Sequence, residues 1–381
     1  MAATSGARAA REMAVAAGQL PDPVLRVGIE NLPADGPDAG RIGNDFMTMR
    51  RIGVTQEYVA ADKRELLRKR VELEAVRQEV TRNRLASTLR QEVATAWFDR
   101  YYAVKSRELL KALEVEFELQ LRTLDSQIRA GKAAAGDVAL ATAGLLQLQD
   151  RMLVAGKQES VAQIALGRWL GKVAARQPDG APDVDTLALD PASPAIVDSA
   201  PALMEHESEN AFSRADLEVA QSNKRANWSW EVAYSQRGSA YPNMVSFGVS
   251  IPLTFNASNR QDRDVAARQA QVEQAHALHE EMRRETASAL ATAHAEWQSL
   301  VDRRKRLAAT LLPVASQRVE LALGAYRAGT GNLAAVLDAR RAEVEARMQL
   351  LDLERETARL WSQLNFIYIE PALARAGGGR P

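Results

Sequence analysis

The stretch "WSWEVAYSQRGSAYPNMVSFGVSIPLTF" at positions 228–255 decides how this chain folds. Trp228, Trp230, Val232 and Tyr234 alternate with Ser229, Glu231, Ala233 and Ser235. After a turn, Val245, Phe247, Val249, Ile251, Leu253 and Phe255 alternate with Ser246, Gly248, Ser250, Pro252 and Thr254. A period of two is the signature of a strand. The same pattern occurs in "VLRVGIE" at 24–30 and "IGVTQEY" at 52–58. Four strands are predicted, in two hairpin-like pairs joined by loops at about 31–45 and 236–242. Each strand has one continuous apolar face and one small or polar face. Two readings fit. One is a soluble sheet with its apolar face covered by a helix. The other is a membrane sheet, since strands of roughly 8 to 11 residues, when tilted, cross a bilayer. Trp228, Tyr234, Tyr241 and Phe255 fall near strand ends, where aromatic girdles sit. Lipid cannot satisfy the backbone groups of an open edge. Four strands are also fewer than the roughly eight needed for closure. The membrane reading therefore requires several chains to share one barrel.

Outward from the strands the period changes. Residues 61–130 contain neither Gly nor Pro. They predict one helix of roughly 105 Å at the α-helical rise. Gly131 to Gly136 interrupts it, and helix is predicted again over 137–176. A Pro- and Asp-rich loop segment follows, then helix over 202–227. Another Gly- and Pro-free run covers 257–312, and Pro313 predicts a kink before the pattern continues to Ala328. Gly329 to Gly331 breaks that run, a last helix is expected over 332–369, and 372–381 reads as a disordered tail. "IRAGKAAAGDVAL" at 128–140 and "YRAGTGNLAAVL" at 326–337 mark the same turn twice. The order helix, two strands, long helix, turn, helix thus occurs twice, about 200 residues apart. We read residues 1–200 and 201–371 as an internal duplication.

Composition limits the function classes. The 381 residues carry 49 basic and 49 acidic side chains, which argues against a general nucleic-acid binder. There is no cysteine, so disulfides, thiolate chemistry and Cys-based zinc sites are excluded. No apolar run reaches the roughly 20 residues of a spanning helix. The first residues do not read as a signal peptide; they read as the second half of an amphipathic helix. Phosphate loops, HExxH and GxSxG motifs are missing, so an enzyme is not expected and no cofactor is implied. His276 and His279 are spaced to share a helical face, but no third ligand lies near in sequence, so no metal site is predicted.

The chain resembles the TolC-like outer-membrane efflux proteins, most closely the branch associated with heavy-metal efflux of the cobalt-zinc-cadmium and copper-silver type. The resemblance rests on "LPDPVLRVGIENLP" (20–33), "DFMTMRRIGVTQEY" (45–58), "YSQRGSAYPNMVSFGVSIPLTF" (234–255), "YRAGTGNLAAVLDARRAEVEARMQLLDLE" (326–354) and "WSQLNF" (361–366). It covers nearly the whole chain. It implies a homotrimer whose helical hairpins form an α-barrel across the periplasm. Four strands from each chain would close a 12-stranded transmembrane β-barrel. It also implies an exit duct in the outer membrane, a periplasmic adaptor (membrane fusion) protein and an inner-membrane pump of the proton-driven resistance-nodulation-division type. Heavy-metal cations are the implied cargo, and family-type targeting is missing from this chain.

The resemblance also suggests site residues. The repeated turns would be periplasmic tips that dock the adaptor, with Gly131, Gly136, Tyr326, Arg327, Gly329 and Gly331 in them. Asp137 and Asp338 match acidic tip positions, where symmetric copies would form a carboxylate ring that favours cations. The plainer reading of Asp137 is a helix-terminal carboxylate meeting the dipole, and that of Tyr326 is packing between helices. A second acidic position of the family corresponds here to Ala335. The competing function class is a soluble coiled-coil scaffold or adaptor whose strands cap a helical rod.

Overall fold

The computed structural model describes residues 2–129, 135–180, 183–187, 190 and 193–366. In chain order these form α1 (Ala2–Ala17), β1 (Val24–Glu30), β2 (Met49–Tyr58), α2 (Ala61–Arg129), α3 (Ala135–Leu170), α4 (Pro194–Asp198), α5 (Pro201–Ser222), β3 (Trp228–Gln236), β4 (Met244–Ser250), α6 (Gln261–Arg306), α7 (Leu312–Arg327) and α8 (Leu333–Phe366). The fold is mainly helical with a single four-stranded sheet among the described residues. The chain divides into two compact units: Met1–Asn83 with Ala202–Arg283, and Arg84–Pro201 with Arg284–Pro381. Each unit therefore draws on both halves of the sequence. The first tip loop with Gly131, and the tail, lie outside the described residues.

The first unit holds the sheet. Its order is β1-β2-β3-β4, with every pair antiparallel. The two predicted hairpins form, and they join through β2 and β3. The alternation to Phe255 predicted a longer fourth strand, but β4 ends at Ser250. The partner sets this limit. Ser250 already pairs with Ser229, and β3 starts at Trp228. Beyond that point Pro252 also lacks an N–H for any ladder.

The helices of this unit follow from small residues and paired charges. On α1, Ala7, Ala10 and Ala14 are buried at helical spacing, and Arg11 pairs with Glu79 of α2. Asp216 of α5 is buried and is held by Arg70 of α2 and by Arg268 of α6, the latter at 2.6 Å. Helix α5 ends at Ser222, short of the expected 227. The intervening cations are drawn to acids in the first turns of other helices. Lys224 pairs with Asp262 of α6 at 2.7 Å, and Arg225 pairs with Asp62 of α2.

The second unit is built from helices. Leu110, Leu113 and Phe117 of α2 pack with Leu148 and Ala155 of α3 and Val344 of α8. Helix α3 stops at Leu170, before the expected 176, and Gly171–Ala175 tightens into a 3-10 turn. The Pro- and Asp-rich segment is tied to the bundle. Trp297 donates its indole N–H to Val184 O at 3.1 Å, and Trp361 donates to Thr186 O at 2.8 Å. The kink expected at Pro313 takes the form of a π turn, Leu307–Leu311, between α6 and α7. Proline offers no N–H, and its ring would strike the carbonyl four residues back, so the helix widens just ahead of it. There the Leu312 N–H reaches back to Leu307 O.

Candidate functional site

Two features of the fold are candidates for function, and each begins in the strand and turn chemistry read from the sequence. The first is the sheet. Register places Leu25, Val54, Val232 and Phe247 in one row across a face, and Val27, Ile52, Tyr234 and Val245 in the next. This apolar face is uncovered: Val27 is 73% exposed, Phe247 81% and Val249 63%. The opposite face is small or polar and more enclosed. Gly28, Gly53, Ala233 and Ser246 lie on it, and Ala233 and Ser235 are buried. Arg51 on that face pairs with Glu30 at 2.7 Å and Glu231 at 3.0 Å. A sheet in water buries its apolar side; this one has the reverse polarity. One end of the apolar face carries Tyr58 and Trp228, with ring centroids 5.1 Å apart. The outer strands β1 and β4 each have a partner on one side only.

The second feature is the turn between α7 and α8. The Gly329 N–H donates to Tyr326 O at 3.1 Å, and the Thr330 N–H donates to Ala325 O at 3.0 Å. These two bonds form a Schellman ending, which needs a left-handed residue just past the helix. Gly329 supplies it, at φ 74°. Gly331 is required by a close approach instead: a Cβ there would lie 3.0 Å from Ala325 Cβ and 3.2 Å from backbone. Asn332 then caps α8, its Oδ1 accepting the Ala335 N–H at 2.9 Å.

Around this turn the helices converge. Leu124 of α2, Ala141 of α3, and Leu333 and Val336 of α8 form a buried cluster, against which Val138, Leu323 and Tyr326 pack. The structure thus brings Tyr326 and the start of α3 together. Burial raises the Tyr326 phenol above its usual pKa, and the nearby Asp137 carboxylate adds to the shift. Asp137 also lies in the first turn of α3, where the helix dipole favours a carboxylate. Gly136 is exposed beside it. Arg327 closes the last turn of α7, where the dipole favours a cation. Asp338 is exposed on the second turn of α8, too far along to cap it. It lines a cleft of about 100 Å³ with Leu140, Gln147 and Arg341.

Glu343, farther along α8 than Asp338, is a buried acid that the sequence pattern does not reveal. It is 2% exposed. It accepts hydrogen bonds from Ser316 Oγ at 2.8 Å, Arg340 at 2.9 Å and Arg347 at 2.8 Å. Arg340 also reaches Glu116 of α2 at 3.2 Å. Among the described residues, no group of three His, Asp or Glu side chains could hold a metal ion, and no helix is long and apolar enough to cross a membrane.

The family model for outer membrane efflux proteins matches residues 202–368. Residues 202–368 thus resemble that family, and the match covers less than half of the 381-residue chain. Solved structures agree in fold across nearly all of this chain. The CusC channel superposes with TM-score 0.80 at 17% identity, covering 95% of this chain and 86% of CusC. A membrane protein from Pseudomonas aeruginosa gives 0.80 at 18% identity, covering 95% and 84%. VceC from Vibrio cholerae gives 0.75 at 15% identity, covering 95% and 90%. Comparison with curated protein sequences finds no significant match.

Proposed function

We infer that this chain is one protomer of an outer-membrane exit duct of the TolC-like kind, passing substrates from the periplasm to the exterior. The observation that carries the reading is the inverted sheet. Its apolar face is uncovered and both its edges are open, which lipid tolerates only in a closed barrel. Several copies must therefore supply the remaining strands. Three copies would give 12 strands, an even number within the range of bacterial barrels. A soluble scaffold would need that face covered, and no described residue covers it. The helical order repeats on both sides of residue 200, so each protomer would present two tips. In this reading the turn around Gly329 and Gly331, with Tyr326, Arg327, Gly136 and the loop holding Gly131, docks a periplasmic adaptor. Asp338 and Asp137 line the constriction. An inner-membrane pump of the resistance-nodulation-division type supplies the driving force, and heavy-metal cations are the proposed cargo. We assign the protein no reaction of its own.

The test is the mass of the detergent-purified protein together with its conductance in planar bilayers. A trimer of about 125 kDa, three times the 41.7 kDa chain, with discrete conductance steps supports the duct. A water-soluble monomer or dimer without conductance refutes it and favours the scaffold.

A further inference from the structure

Two consecutive arginines in β2 face opposite ways. Arg51 lies on the polar face and is paired with both Glu30 and Glu231. Arg50 lies on the apolar face, in the row of Ile29 and Gln236. Its side chain is exposed and makes no hydrogen bond or ion pair among the described residues. Its row ends the apolar face on the side of the hairpin loops, opposite the Tyr58–Trp228 end. Just past the end of β3, Arg237 carries a second charge without a carboxylate partner among the described residues. Its guanidinium donates to Phe46 O, at 2.9 Å through Nε, and lies 5.0 Å from the Tyr241 ring centroid. The Arg237 N–H donates to Asn243 Oδ1 at 3.1 Å, which fixes the start of the loop.

A lone cation on a lipid-facing surface is costly in the hydrocarbon and nearly free at the interface. There it can meet a phosphate, which a guanidinium binds through paired N–H donors. We propose that Arg50 and Arg237 form a site for the phosphate headgroup of an anionic lipid at the loop-side rim of the barrel. The inference rests on the membrane reading above and adds a partner to it. The site takes phosphate from a lipid because Ile29 beside it and the next row, Val27, Ile52 and Tyr234, are apolar and uncovered, and so would lie along the acyl chains. Gln236 in the same row offers a neutral donor beside the charge.

The experiment reconstitutes the protein in phosphatidylcholine vesicles with and without phosphatidic acid, then counts the lipid retained after detergent extraction by native mass spectrometry. The wild type is expected to retain phosphatidic acid in preference to phosphatidylcholine. Each of Arg50→Gln and Arg237→Gln should reduce that preference about five-fold, the share of one interfacial cation. Arg50→Lys, which keeps the charge and the fold, should retain most of it. Arg26→Gln, on the polar face, should leave it unchanged. An unaltered preference in both glutamine variants overturns the site, as does an equal loss in Arg26→Gln. If millimolar inorganic phosphate displaces the lipid completely, the site takes a free anion and the lipid assignment fails. Failure of the wild type to insert or conduct at all would instead count against the duct.

Discussion

Phe247→Arg separates a membrane sheet from a soluble one by the sign of its effect. Phe247 is 81% exposed and stands in the row Leu25, Val54, Val232, Phe247. That row is midway between the Tyr58–Trp228 end of the apolar face and the Arg50–Gln236 end. In a bilayer it lies near the midplane, where an arginine on the lipid face costs about 2–4 kcal/mol. At 0.59 kcal/mol for RT, this lowers the folded, inserted population of each chain roughly thirty-fold to several-hundred-fold. In water the same change would be neutral or favourable, because it removes an exposed aromatic ring and adds a solvated charge. The neighbouring Ser246→Arg is the matched control. Ser246 faces the polar side, in the row of Arg26, Gly53 and Ala233, and should insert normally. The assay is refolding into phosphatidylcholine vesicles, with folded and unfolded fractions separated by heat-modified gel mobility. Equal yields for Phe247→Arg and wild type would refute the lipid-facing assignment, whatever the conductance of the preparation.

Four further outcomes test the helical unit. Asp338→Ala should raise single-channel conductance or weaken block by multivalent cations, and unchanged traces would remove Asp338 from the constriction. Gly329→Pro forces φ from 74° to about −65° and deletes the N–H that bonds Tyr326 O; adaptor binding and export should fall while the barrel still folds, and intact export would remove Gly329 from the docking turn. Glu343→Ala strands Arg340 and Arg347 beside a buried void and should cost about 3–5 kcal/mol, measured by chemical denaturation; a loss below about 1 kcal/mol would show that the ion cluster is dispensable. Glu354 has its pKa raised above 4.5 by burial, against the opposing effect of Arg304. Its native state therefore holds the proton to a higher pH than the unfolded chain, and stability falls as pH rises from about 4.5 through the raised value. Glu354→Gln should be more stable than wild type at neutral pH, with the gap closing as pH falls, and a gap independent of pH would contradict this.

What could be read from the sequence was whatever a single segment specifies. The α2 run without Gly or Pro became a helix ending at Arg129, and "VLRVGIE" became β1 residue for residue. Gly329 was legible because a left-handed helix ending leaves few other choices. Features that depend on distant partners were not. The end of β4 is set by where β3 begins, not by its own alternation, which continues to Phe255. Glu343 sits between arginines three before it and four after it, a spacing that reads as a solvated charged face. Only Ser316 on α7 and Glu116 on α2, brought in by packing, turn that face into a buried cluster. The sheet shows the same limit most clearly. Alternation is identical in a strand whose apolar side meets a helix and in one whose apolar side meets lipid. The two differ in which side is enclosed: here it is the side of Ala233 and Ser235, while Phe247 and Val27 stay open. Exposure of the apolar side, with two edges unpaired among the described residues, is the feature on which the proposed shared barrel rests, and no single strand's pattern contains it.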